Sequence, residues 1–131
     1  MKSRTIKAGV GMTKFDKPGA SDSYDIMAAA AIRQALSDAG LEYADVQQAS
    51  AGYVYGDSTC GQKALHHVGM TGIPVANVNN NCSTALFLAR QAVEHEVADC
   101  VLAVGFEQIN PATARHHQQP SGGKCPSCVA A

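Results

Sequence analysis

Residues Pro74 to Arg90 read PVANVNNNCSTALFLAR, and the rest of the chain is organised around this stretch. Pro74 to Val78 is a short apolar run with the character of a buried strand. Asn79-Asn80-Asn81 is a turn cluster. Cys82 follows at the exit of that turn, and Ser83-Thr84 opens a helix carrying Ala85, Leu86, Ala89, Ala92 and Val93 on one side. Strand, tight turn, cysteine, helix displays a nucleophile at the C-terminal edge of a parallel sheet. A thiol at a helix N-terminus meets the positive end of the macrodipole and unsatisfied backbone N–H groups, which favour the thiolate. A thiolate attacks carbonyl or thioester carbon far better than a thiol does. Cys82 is therefore the candidate catalytic residue.

Working outward, the remaining elements alternate. Arg4 to Val10 reads as a first strand. Gly9-Val10-Gly11 resembles the start of a dinucleotide loop, but the third glycine position falls at Lys14 and no helix begins there, which excludes a Rossmann site. Phe15 to Ser23, with Pro18-Gly19, is a loop. A helix is expected over Tyr24 to Ala39, capped by Ser23, with Asp25 in its first turn and Gly40 ending it. Ala28, Ile32, Ala35, Leu36 and Ala39 share its apolar face. Gln47 to Tyr55 reads as a second strand, Gly56 to Thr59 as a turn, and Cys60 to Val68 as a short helix ended by Gly69. After Val75 to Val78 and the Cys82 helix, which gives way near Val97, Cys100 to Phe106 forms a fourth strand.

The order is β-α-β-α-β-α-β. Strands three and four are continuously apolar, as when helices cover both faces. The fold class is α/β, with mostly parallel strands joined by right-handed helical crossovers. Function in such sheets gathers at the C-terminal ends of the strands, where Cys82 and the Gly56-Asp57-Ser58 turn both fall. From Asn110 onward periodicity is lost. The expected organisation is a domain over residues 1–108 and a loose, irregular tail over 109–131.

With 131 residues, 46% hydrophobic and 16% charged, the composition is that of one globular domain. The net charge of −1 has no basic stripe, so nucleic acid and anionic membrane surfaces are not expected partners. No apolar run reaches the length of a membrane span. No signal h-region follows the basic N-terminus, and an intracellular location is expected. Five cysteines, an odd number with scattered spacing, argue against a disulfide framework.

Several blocks match one family: Gly9 to Phe15, Gly52 to Gln62, Gly69 to Pro74, Asn77 to Cys82, Thr84 to Gln91, and Cys100 to Glu107. Over residues 5–108 the chain resembles the N-terminal half of a thiolase, most closely the sterol carrier protein x type (propanoyl-CoA C-acyltransferase). The resemblance implies a five-layered αβαβα fold of two similar halves, a tight dimer, and a place in lipid metabolism, in peroxisomes in eukaryotic members. It implies thiolysis of 3-oxoacyl-CoA by coenzyme A through an acyl thioester on the residue matching Cys82. Coenzyme A and acyl-CoA are substrates, and no bound cofactor or metal is expected.

The chain departs from the family at four points. The family runs Asn-Cys-x-Thr-Gly-Ser-Thr-Ala-Leu, whereas Asn81-Cys82-Ser83-Thr84-Ala85-Leu86 is three residues shorter. A later helix start would absorb this, with Cys82 turned about 60° from its core face. The chain is also about one residue short near His66-His67-Val68. His95-Glu96 stands where a Gly-Gly pair ends the family's helix. The family's second-half motifs do not occur among these residues: the base histidine, the second acid–base cysteine and Gly-His-Pro. A chain incomplete for catalysis is thus expected, and it would act, if at all, as a homodimer or bound to a full-length thiolase.

Other reactive residues have blander readings than Cys82. Cys100 reads as a small buried apolar residue. His66, His67 and His95 read as solvated, and His116 and His117 lie in the tail, so no base is assigned. Cys125-Pro126-Ser127-Cys128 with His116-His117 gives a further alternative, a small zinc or redox module. Asp57 reads as a turn cap and Glu107 as a structural hydrogen-bond acceptor.

Overall fold

The computed structural model describes residues 4–109 and 129–130. Its elements in chain order are β1 (Gly11–Met12), α1 (Tyr24–Ala39), a 3-10 turn (Tyr43–Asp45), β2 (Gln48–Tyr53), α2 (Cys60–His66), β3 (Val75–Asn79), α3 (Cys82–Glu94), β4 (Val101–Gly105) and β5 (Val129–Ala130). The strands form one sheet in the order β1-β5-β4-β2-β3. β2 pairs in parallel with both β4 and β3, while β5 runs antiparallel to β4 and to β1.

The two longer helices form where local signals are strongest. α1 occupies the expected residues, with Ala28, Ala31, Ile32 and Ala35 buried against the sheet. Gly40 ends it in the left-handed region at φ 66°, and the Leu41 N–H bonds the Leu36 carbonyl at 3.0 Å. Only glycine adopts that conformation without a Cβ penalty. Ser23 occupies the cap position, but its hydroxyl turns to the Asp25 carboxylate instead of a helix N–H.

Three expectations about the elements are corrected. Arg4 to Val10 is not a strand. The Val10 N–H bonds the Asp38 carboxylate at 2.9 Å and the Met12 N–H bonds Gln34 Oε1 at 3.2 Å. Side chains of α1 thus hold this segment in place of a longer ladder. α2 stops at His66, and the Val68 and Gly69 N–H groups close its last turn on the Leu65 carbonyl. β3 is an edge strand and only half-buried, since among the described residues no strand pairs with its outer side. Ala130 of β5 pairs with Val104 of β4.

Side chains of a strand alternate between faces. Ala49, Ala51 and Tyr53 of β2 join Leu102 and Val104 of β4 in one cluster with α1 and α2. Phe106 lies between Tyr24 and Tyr53, each ring pair stacked at 5.1 Å between centroids. The opposite face carries small residues: Ser50, Gly52, Ala103 and Gly105. There α3 lies against β2 and β4 with Ala85, Ala89 and Ala92 buried. The result is three layers, with α1 and α2 on one side of the sheet and α3 on the other.

Candidate functional site

The turn after β3 is built by its asparagines. Asn80 Oδ1 accepts the Asn81 N–H at 2.9 Å. Asn81 is the N-cap of α3, and its side-chain oxygen accepts the Thr84 N–H at 3.3 Å and the Thr84 hydroxyl at 3.3 Å, together with the Ser83 hydroxyl. The cap satisfies one of the first-turn backbone donors and fixes where α3 begins.

Cys82 is the first residue of α3. The expected later helix start is therefore corrected: the helix begins at the cysteine itself. Cys82, Ala85, Ala89 and Ala92 fall at helical spacing on the side that meets the sheet. The shortened turn thus leaves Cys82 on the core-facing side, half-buried at the C-terminal ends of the parallel strands. A Cβ built on Gly105 would overlap the Cβ and Sγ of Cys82, and one on Gly52 would stand 3.1 Å from its Cα. Gly52 and Gly105 are register partners on adjacent strands.

A rim of hydrogen bonds ties together the chain ends beside this cysteine. Glu107 accepts the Val54 N–H at 2.9 Å and the Tyr55 N–H at 3.0 Å, in the structural role expected of it. Asn79 Nδ2 donates to the Val54 carbonyl at 3.0 Å. The exits of β2, β3 and β4 are thereby cross-linked. Asp57 caps α2 through its backbone: its carbonyl accepts the Cys60 N–H at 3.2 Å and the Tyr53 hydroxyl at 2.7 Å.

The fold separates the described histidines from Cys82. His66 and His67 belong to the α2 side, with the sheet between them and α3. His95 closes the far end of α3, roughly 20 Å along the axis from Cys82. His67 is not simply solvated: its Nε2 lies 2.9 Å from Asp25 Oδ2. Cys60 is buried, and burial pushes the Cys100 thiol up, with the Asp45 carboxylate adding to this. Cys125, Cys128, His116 and His117 lie outside the described residues. Among the described residues no grouping of three or more metal-ligating side chains occurs, and no helix is long and apolar enough to cross a membrane.

Asn81, Gly52 and Gly105 were not singled out from sequence. The available signal was a glycine at or next to the end of each of two strands, which marks close approach by another backbone.

Fold and site together define a class: an α/β protein with a cysteine opening the helix that crosses the C-terminal edge of a parallel sheet. The chain belongs to the thiolase family, the family described as "Thiolase, N-terminal domain" matching residues 7–127, a span that runs past residue 108. It is 57% identical over 114 residues to sterol carrier protein 2 of Gallus gallus, covering 83% of this chain and 21% of that protein. It is 58% identical over 113 residues to sterol carrier protein 2 of Homo sapiens, covering 82% and 21%. The chain thus spans about a fifth of the length of these relatives. The fold is similar to that of the priming β-ketosynthase of the R1128 polyketide biosynthetic pathway, with a TM-score of 0.62 at 23% identity, over 83% of this chain and 34% of that one. The family supports a thiolase or acyltransferase type of function.

Proposed function

We propose that this chain is the nucleophile-bearing part of an acyl-CoA thiolase and that Cys82 is its acyl acceptor. The observation that carries the reading is the seating of Cys82 as first residue of α3 over Gly52 and Gly105. In 3-oxoacyl-CoA thiolysis, the Cys82 sulfur bonds to the 3-oxo carbon and the C2–C3 bond breaks. The departing acyl-CoA takes a proton on its α-carbon. The thiol of coenzyme A then attacks the acyl thioester and releases Cys82. The N-terminus of α3 faces the charge that develops in both steps. The imidazole that takes the thiol proton belongs, in this reading, to the second half of the thiolase fold. A homodimer and an intracellular setting, peroxisomal in a eukaryote, go with it.

Incubation of the chain with a short acyl-CoA, followed by peptide mass spectrometry, tests the reading. An acyl adduct on Cys82 that vanishes in Cys82→Ser is the expected result. An intact thiol that alkylates readily but never acylates, alone or mixed with a full-length relative, rejects it.

A second reading is a non-catalytic half-fold that works by association. Leu86 and Phe87 of α3 are 38% and 58% exposed, and Val54 beside the rim is 45% exposed. Exposed apolar side chains of this size are candidates for a surface that associates. Size-exclusion chromatography separates the readings: concentration-dependent association supports this one, and a monodisperse monomer counts against it.

A further inference from the structure

The contact between Gly105 and Cys82 has a property that ordinary core packing lacks. Carbon atoms in contact normally sit ~3.5–4.0 Å apart. A Cβ on Gly105 would overlap the Cβ and Sγ of Cys82 and stand 3.0 Å from its Cα. Rotation about χ1 of Cys82 moves the sulfur but not the Cβ, so no rotamer relieves the overlap. The same holds one strand over, where a Cβ on Gly52 would lie 2.6 Å from the Asn81 carbonyl oxygen. Gly105 and Gly52 are paired across β4 and β2, so the first turn of α3 rests on a patch of sheet without side chains. The depth of the sulfur is set by that patch. A methyl group at Gly105 would stand 2.3 Å from the Cys82 Cβ and lifts the start of α3 by roughly 1.2–1.7 Å to restore ordinary contact.

We propose that Gly105 is the positioning residue for the nucleophile: its missing side chain fixes how deeply Cys82 sits at the strand ends. Gly52 does the same for the cap residue Asn81. The proposal rests on the reading of Cys82 as acyl acceptor and adds a determinant of its reactivity. Gly105 supplies no group to the reaction, and it acts only through the seat it gives Cys82.

The test uses the full 131-residue chain and three variants: Gly105→Ala, Cys82→Gly, and the two combined. In folded Gly105→Ala the rate of acyl-Cys82 formation from a short acyl-CoA should fall at least about a hundredfold, since a misplacement of only ~1 Å already has that effect. The pH profile for iodoacetamide alkylation of Cys82 should move to higher pH, because the sulfur leaves the positive end of the helix that favours the thiolate. A lower urea midpoint with unchanged acylation and an unchanged alkylation profile would mean that Gly105 is structural only, and would overturn the proposal. If Gly105→Ala does not fold, the combined variant decides, since Cys82→Gly removes the Cβ and Sγ that collide. Recovery of the Cys82→Gly urea midpoint supports the seat, and an equal loss in both backgrounds overturns it. If the native chain forms no acyl adduct at all, the reading of Cys82 as acceptor fails. The alkylation profile and the combined variant still decide the role of Gly105.

Discussion

Asp25 and His67 meet across the contact between α1 and α2, with Asp25 Oδ2 2.9 Å from His67 Nε2 although the residues are 42 positions apart. Asp25 is 5% exposed, and Lys63 Nζ lies 3.5 Å from the same oxygen. The Ser23 hydroxyl donates to its other oxygen. This hydrogen bond is the largest influence holding the Asp25 carboxyl well below the usual carboxylate range. His67, the backbone and Lys63 add to it, and burial opposes it.

A pH dependence of stability follows from that cluster. The folded-state carboxyl is depressed, so its contribution is fully present above about pH 5 and is lost as the pH falls below about 4. Asp25→Asn should cost on the order of 2 kcal/mol at pH 7. It should also flatten the acid limb of a plot of urea midpoint against pH. An unchanged acid limb would remove Asp25 from the account.

Glu107 clasps two backbone N–H groups of the segment that leaves β2. Glu107→Ala should cost about 1–2 kcal/mol, since both donors lie at a partly exposed rim. Glu107→Gln, which keeps one carbonyl acceptor, should cost about half as much. Hydrogen exchange at Val54 and Tyr55 is the direct measurement, and it should quicken in both variants, more in the first.

Glu96 holds φ at 59°, a left-handed conformation that costs a residue with a Cβ about 1–2 kcal/mol. Glu96→Gly should therefore raise stability by about 1 kcal/mol, less the extra chain entropy of glycine in the unfolded state. A thermal melt reads it. A loss of stability in the variant would show that the Glu96 side chain contributes more than the strain it carries.

Asn81 caps α3 directly ahead of Cys82. Asn81→Ala should lower stability by about 1 kcal/mol, and Asn81→Asp should hold it nearly level. Because the cap orders the first turn of α3, acylation of Cys82 should fall in Asn81→Ala and be largely retained in Asn81→Asp, as followed by mass spectrometry.

Much of this protein was legible in the chain itself. The Ser23 to Gly40 span announces α1 through local signals: an acidic first turn, an alanine-rich face and a terminal glycine. The asparagine cluster and Cys82 announce a turn into a helix for the same reason, since caps act within a few residues. Arg4 to Val10 misled because an alternating pattern fits a strand but also fits a segment pinned by Asp38 and Gln34 of a distant helix.

The sequence alone therefore determined the alternation of elements, the bounds of α1 and the place of Cys82 at the mouth of α3, all of which rest on neighbours along the chain. Only the tertiary structure decided that β3 takes the edge and β2 lies between β3 and β4. It alone decided that Asp25 is buried beside His67 and that Cys82 rests on Gly105. Those relationships join residues tens of positions apart. Their physical basis is close packing and desolvation across elements, which no local propensity encodes.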